Sequence, residues 1–334
     1  MLAVMNAGPL LDNLLSPPIL FFFLGMLATV VRSDLEIPKE LSRLFSLYLL
    51  WAIGFKGGVA LRSAGLNSET ILPLVMAVAL SAAVPLYVVP LLRAAKFRTA
   101  DACAAAGAYG SVSVVTFITA QKFLENQGIE FGGHLVAALA LMEAPAIITA
   151  VMLYRAIDTG SSARTLFTER RGELAHLVHE AVVSGPVFLL LGSIAVGAMT
   201  GNKGWQALEP FGKDLFDGVL VLFLLDSGLT ASRELRHLTG SKRTAVVISI
   251  AVPLINAVLG MLIVWALGMP RADGFLFIIL AASASYIAVP AAMRMAIPQA
   301  NAGLYVPMAL GLSFPFNITL GIPLYFMAAG WVSG

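Results

Sequence analysis

Residues 101–113 read DACAAAGAYGSVS, and residues 273–285 read DGFLFIILAASAS. Each stretch runs from an aspartate through small and apolar residues to a Ser-x-Ser pair, at the same spacing: Asp101 to Ser111 and Ser113, Asp273 to Ser283 and Ser285. In a helix, ten residues rise about 15 Å, roughly half of a hydrocarbon core about 30 Å thick. With the aspartates at the membrane surface, both serine pairs fall near the bilayer midplane. Gly107 and Gly110 weaken the first helix at that depth. Beyond the second pair, Pro290 lacks an N–H, and its ring collides with the carbonyl of Tyr286. Both segments are therefore expected to break in mid-membrane, with hydroxyls meeting the freed backbone groups. The N–H groups that open the second half-helices suit a small anion, and carbonyl and hydroxyl oxygens suit Na⁺.

The correspondence extends outward from these stretches. A shift of 172 residues carries Asp101, Ser111 and Ser113 onto Asp273, Ser283 and Ser285. A shift of 171 carries Leu44-Phe45 onto Leu215-Phe216, Gly57 onto Gly228, Ala60 onto Ala231 and Arg62 onto Arg233. A shift of 170 carries Pro145 onto Pro315 and Ile148-Thr149 onto Ile318-Thr319. Three separate segments agreeing so closely indicate an internal repeat.

Composition decides what kind of repeat. The 334 residues are 59% hydrophobic and 12% charged, with mean hydropathy +0.88, against about 25% charged in soluble domains. Such a chain has too few polar residues to cover a water-soluble core, and its long apolar runs must face lipid or one another. The runs predict ten spans, near 16–31, 40–61, 70–92, 100–122, 133–154, 178–199, 209–231, 243–267, 274–297 and 302–331, of which the second and seventh are the least hydrophobic. Five precede and five follow the polar stretch Asp158–His176. An odd number of spans per repeat makes the second enter the membrane with opposite orientation. The expected fold is thus an all-α membrane protein of ten transmembrane helices in two inverted five-helix repeats, with helices four and nine broken. Residues 1–157 form the first repeat, 158–176 a cytoplasmic connector and 177–334 the second repeat.

Charge sets the orientation. Of 21 Lys and Arg residues, only Lys56, Arg62, Lys122, Lys203, Lys213 and Arg271 fall on one side of this arrangement. The excess on the other side, with Arg93, Lys96, Arg98, Arg170 and Arg171 among it, marks the cytoplasmic face and places both termini outside. Net charge of +2 reflects these scattered clusters rather than a nucleic-acid surface. Met1 to Leu15 carry no Lys or Arg ahead of the first apolar run, which argues against a cleaved signal. The single cysteine, Cys103, rules out an intrachain disulfide or cysteine metal site. No Walker A, Gly-x-Ser-x-Gly or His-Glu-x-x-His motif is present, which removes the sequence signals of ATP-driven pumps and common hydrolases.

Glu143, inside span five two residues before Pro145, is the deepest carboxylate of its span, where a charge costs about 3 kcal/mol or more and calls for a partner or a task. It reads as a Na⁺ ligand or proton carrier, against a packing acid paired to backbone or lysine. Its repeat mates are Ser313 and, four positions on, Asn317, both oxygen donors. Small residues in membrane helices also serve close packing. For one Ser-x-Ser motif alone that is the simpler reading, and symmetric placement at equal depth favours a site. Asp226 reads as a half-solvated helix end, unpaired with Lys56, and His176 with His179 as a surface helix turn with the spacing of a weak metal site. His134 and His237 stand isolated.

Taken in order along the chain, several strings resemble the sodium-dependent bicarbonate transporter family of SbtA type: Ile53-Gly-Phe-Lys-Gly-Gly-Val-Ala-Leu-Arg62, Asp101-Ala102 with Gly110-Ser-Val-Ser113, Met142-Glu-Ala-Pro-Ala146, Ala281-Ala-Ser-Ala-Ser285 and Ile297-Pro-Gln-Ala-Asn301. The resemblance implies core and gate domains each drawn from both repeats, a homotrimer, inward movement of bicarbonate coupled to Na⁺, and closure by a PII-like regulatory protein. Carried over by position, Gly110, Ser111, Val112, Ser113, Ser283, Ala284 and Ser285 line the substrate site. Thr116, Glu143, Ser285, Tyr286 and Asn317 are the expected Na⁺ ligands, Glu143 occupying a position where the family has an acid. The chain departs from the family pattern where Val114-Val115 replace a Gly-Ser pair, Tyr286 stands where the family has an acid, Ala288-Val289-Pro290 replace Gly-Pro-Pro, and the connector 158–176 is shorter.

The sequence therefore leads to a non-enzymatic secondary transporter in a bacterial inner membrane, a symporter of Na⁺ with bicarbonate or a similar small anion. The alternatives are a carrier with another substrate or proton coupling through Glu143, and a non-transporting membrane sensor or scaffold of the same fold. A membrane enzyme is a third reading.

Overall fold

The computed structural model describes residues 11, 13–65, 67–159, 179, 183–238 and 242–333. Among them every regular element is helical: α1 (Pro17–Val30), α2 (Lys39–Ala64), α3 (Ser68–Ala94), α4 (Thr99–Gly110), α5 (Val114–Asn126), α6 (His134–Leu141), α7 (Glu143–Thr159), α8 (Gly185–Glu209), α9 (Phe216–Arg236), α10 (Lys242–Leu267), α11 (Arg271–Ala282) and α12 (Ala288–Ala296). A final rod, α13 (Ala302–Val332), alternates α and π turns. Seven stretches among the described residues are long and apolar enough to cross a membrane, and the shorter α1 is apolar as well. Helix α9 falls outside that set because it carries Asp217, Asp226, Arg233, Glu234 and Arg236, and α11 and α12 because each is short. The connector 158–176 lies almost wholly outside the described residues, as does His176.

Two groups of helices make up the structure. In the first, α2 packs on α8, α1 on α9, and α2 on α9. Lipid tails are as apolar as leucine, so association here depends on close backbone approach, which glycine permits. A Cβ at Gly58 would strike the Ile194 carbonyl, and one at Gly197 the Phe55 carbonyl. At the other crossing, Gly228 lies on the Phe22 carbonyl and Gly25 on that of Leu225. Moving Phe22 and Gly25 by 172 positions, and Phe55 and Gly58 by 170, turns one crossing into the other. Each crossing ends in an arginine cap. Arg62 donates from Nη1 to the carbonyls of Met199 (2.7 Å) and Ala198 (3.2 Å), just before the chain turns at Gly201 with φ 61°. Arg236 donates from Nη2 to the carbonyl of Thr29 at 2.6 Å. A guanidinium at a helix C-terminus meets carbonyls that have no partner within the helix.

The second group also assembles in matched sets. Helices α3, α4 and α7 pack mutually, as do α10, α11 and α13. The sets join where α5 packs on α11 and α12 on α4. Burial follows this order: every residue of α4 from Ala100 to Gly110 is buried, as is α11 from Gly274 to Ala282. The outer helices instead present apolar side chains outward, such as Phe188, Val258, Leu262 and Trp265.

Candidate functional site

At the junction of the two sets, the helical path is interrupted twice. Helix α4 ends at Gly110, Ser111 is extended (φ −86°, ψ −177°), and α5 starts at Val114. Helix α11 ends at Ala282, Ser283 is extended (φ −80°, ψ 168°), and α12 starts at Ala288. Pro290 thus sits in the first turn of α12, where its missing N–H leaves no gap in the helix ladder. At Gly110 the fit forces glycine, since a Cβ would lie 2.9 Å from both Ala146 Cβ and the Ser81 carbonyl.

The two interruptions lie against each other and share hydrogen bonds. The Ser113 amide donates to Ser283 Oγ at 3.0 Å, and the Ser285 amide donates to the Ala108 carbonyl at 2.9 Å. Ser283 Oγ in turn donates to the Leu280 carbonyl at 3.1 Å. Ser113 Oγ caps α5 by accepting from the Thr116 amide at 3.2 Å, and the Val289 amide reaches Ser285 Oγ at 3.5 Å. Thr116 and Phe117 find acceptors in Ser113, and the first-turn amides of Val114 and Val115 have no acceptor among the described residues. The seven residues expected to line the substrate site, Gly110 to Ser113 and Ser283 to Ser285, are thus brought together and buried.

Three side-chain oxygens here are buried without a hydrogen-bond partner: Ser111 Oγ, Thr116 Oγ1 and Tyr286 Oη. The Tyr286 hydroxyl lies beside Ser113 without bonding it in ordinary geometry. A buried hydroxyl left unpaired costs about 1–3 kcal/mol, and three at one junction concentrate unmet bonding capacity in one place. All three are oxygen donors of the kind hard cations and hydrated anions take.

A cavity of about 950 Å³ leads to this junction from one face, lined by Arg43, Arg155 and Asp226 and reaching Glu143 and Tyr286. Glu143 begins α7 just after the helix is interrupted at Met142, whose carbonyl accepts from Ser81 Oγ at 2.6 Å. Its carboxylate has no hydrogen-bond or ion-pair partner among the described residues. Asp226 lies midway along α9 rather than at its end and accepts from Ser42 Oγ at 2.5 Å. Toward the other ends of α2 and α9, a second cavity of about 750 Å³ is lined by Lys56, Gln121, Lys122, Glu125 and Asp217.

Asn317 is placed differently from the other expected Na⁺ ligands. Its Nδ2 donates to the Ala282 carbonyl at 2.9 Å, and its Oδ1 accepts from Tyr325 at 3.0 Å. It therefore secures the last turn of α11. Ser313, the repeat mate of Glu143, donates to the Ser249 carbonyl at 2.7 Å and shares a hydrogen bond with Tyr109 Oη at 3.0 Å. Tyr109 also bonds Ser249, its carbonyl accepts from Asn256, and Asn256 Oδ1 accepts from Tyr87. This buried network escaped the sequence reading, although an amide such as Asn256 within an apolar span was its visible signal.

The aspartates that open the two stretches fasten loops. Asp101 Oδ1 accepts from the Asn301 amide at 2.7 Å and Asp273 Oδ1 from the Gly132 amide at 2.6 Å. His134, isolated in sequence, lies beside Asp273. No group of three His, Cys, Asp or Glu side chains suited to a metal ion occurs among the described residues.

Comparison with known proteins gives one family. Residues 17–330 match the model of the Na⁺-dependent bicarbonate transporter superfamily. No curated protein matches the chain.

Proposed function

The chain belongs to the Na⁺-dependent bicarbonate transporter superfamily, and from that membership we propose that this multi-pass membrane protein is a symporter of Na⁺ with bicarbonate or a similar small anion. The observation that carries the reading is the trio of unpartnered buried oxygens, Ser111 Oγ, Thr116 Oγ1 and Tyr286 Oη, at the junction of two interrupted helices. The open amides of Val114 and Val115 and the Ser111 hydroxyl receive the anion. Thr116, Tyr286 and Glu143, with Ser285 nearby, offer oxygens to Na⁺, and bringing both ions to one junction couples their movement.

In this reading the ten sequence spans form two inverted five-helix repeats, 1–157 and 177–334, with α4–α5 and α11–α12 as broken spans four and nine. The paired glycine crossings, the paired arginine caps and the paired aspartate loops all support that relation. Helices α1, α2, α8 and α9 act as the gate and the remainder as the core. Both termini lie outside a bacterial inner membrane, so the 950 Å³ cavity opens to the cytoplasm. The family resemblance adds a homotrimer and closure by a PII-like protein.

A second reading is proton coupling, which the unpaired carboxylate of Glu143 at the cavity favours. Thermal melting of the purified protein separates the two. In the sodium reading, bicarbonate raises the melting temperature only with Na⁺ present. Stabilisation that is equal in Na⁺ and in choline transfers the coupling to protons.

A further inference from the structure

Two ion pairs span the groove between the helix groups at the end away from the 950 Å³ cavity. Lys56 on α2 meets Glu125 on α5 at 2.5 Å, and Lys122 on α5 meets Asp217 on α9 at 2.7 Å. Lys122 also lies 3.9 Å from Glu125, joining both pairs into one network. In each pair one partner belongs to the first helix group and the other to the second. In the wall of the same cavity, Gly57 of α2 fits against Val136 of α6 so closely that a Cβ would lie 2.6 Å from Val136 Cβ. The helix groups are thus held together by ion pairs and a close contact at the 750 Å³ cavity, while the 950 Å³ cavity at the other end reaches Glu143 and Tyr286.

We propose that the Lys56–Glu125 and Lys122–Asp217 pairs form an ionic latch that closes one mouth of the groove while the other stands open, and that the latch must part for the junction to be reached from the side of Lys56. This deepens the transport reading and rests on it. The four side chains act on the position of one helix group against the other and touch no substrate. Side-chain exposures of 53% and 35% for Lys56 and Glu125, and of 24% and 56% for Lys122 and Asp217, leave the pairs partly solvated. Each such pair shifts an equilibrium by only about 1.5- to 5-fold, and salt weakens it. That modest size suits a latch that has to open in every cycle.

The test uses a single reporter cysteine, Ile118→Cys, in a Cys103→Ala background. Ile118 lies in the wall of the second cavity and is fully buried with the groove closed. A membrane-impermeant methanethiosulfonate is applied to membrane vesicles from the side of Lys56, without substrate. Asp217→Asn and Lys56→Gln should each raise the labelling rate about two- to fivefold, and both together by more. The exchanged pair Lys122→Glu with Asp217→Lys should return it toward the parent rate. Glu125 keeps its 2.5 Å contact with Lys56 across the groove, so the exchange is read on the second pair alone. Equal labelling in the parent, the neutralised and the exchanged variants, at equal membrane abundance, overturns the latch. A neutralised rate that the exchange leaves raised does so too, because charge is then not the cause. Labelling needs no transport, so a responsive latch in a protein that moves no bicarbonate refutes the substrate and leaves the latch standing.

Discussion

Ser111→Ala and Ser283→Ala remove the same atom from neighbouring buried serines, and their effects on stability should have opposite signs. Ser111 is 1% exposed, and its Oγ has no partner. Removing it relieves a desolvation penalty of about 1–3 kcal/mol, and the ligand-free protein is stabilised by up to that amount. Ser283 is fully buried, but its Oγ accepts from the Ser113 amide and donates to the Leu280 carbonyl. Alanine there leaves a buried amide unpaired and destabilises by about 1–3 kcal/mol. At about 2 °C per kcal/mol for a chain of this size, Ser111→Ala should melt about 2–6 °C higher and Ser283→Ala about 2–6 °C lower, in detergent without Na⁺ or bicarbonate. Function should move the other way for Ser111→Ala. A hydrogen bond to a charged ligand contributes about 1.5–3 kcal/mol, so KM for bicarbonate should rise about tenfold or more. If both variants melt lower by similar amounts and Ser111→Ala keeps the parent KM, the unpaired hydroxyl is not a ligand group.

Glu143→Gln should change the cation dependence of uptake at unchanged membrane abundance, because it removes a carboxylate at the head of the cavity that is unpaired among the described residues; identical Na⁺ and pH profiles would make it a packing residue. Asn317→Leu should destabilise by about 2–4 kcal/mol, since the Ala282 carbonyl and the Tyr325 hydroxyl both lose partners, seen as a lower melting temperature. Neutral melting would return Asn317 to the ligand set. Gly58→Val and Gly228→Val each drive a Cβ into a carbonyl of the facing helix and should cost similar amounts, about 1–3 kcal/mol or more, read as loss of monodisperse protein on heating. A large effect at one and none at the other contradicts the equivalence of the two crossings.

Much of the architecture was legible because membrane spans announce themselves by length and polarity. The expected spans 16–31, 243–267 and 302–331 fall within a few residues of α1, α10 and α13. The sixth, expected over 178–199, ends close to the break at Gly201 inside α8, and the polar residues beyond that turn run on in helix to Glu209. The two Ser-x-Ser stretches drew attention because a rigid spacing from an aspartate recurs at a fixed shift, and both prove to be non-helical connections. What sequence could not supply was pairing across space. Nothing local separates Ser111, whose hydroxyl is unpaired, from Ser283, whose hydroxyl is fully engaged. Nor does chain order tell that Lys56 faces Glu125, or that Asn317 is taken up by the end of α11. Those distinctions depend on which helix lies alongside, and they decide which oxygens remain for a ligand.

Uptake of labelled bicarbonate by the purified protein in proteoliposomes, with and without an inward Na⁺ gradient, tests the symport most directly. Accumulation that requires the gradient and collapses when Na⁺ is equal on both sides is the predicted result. Flux no greater than that of protein-free liposomes under Na⁺, proton and combined gradients contradicts it.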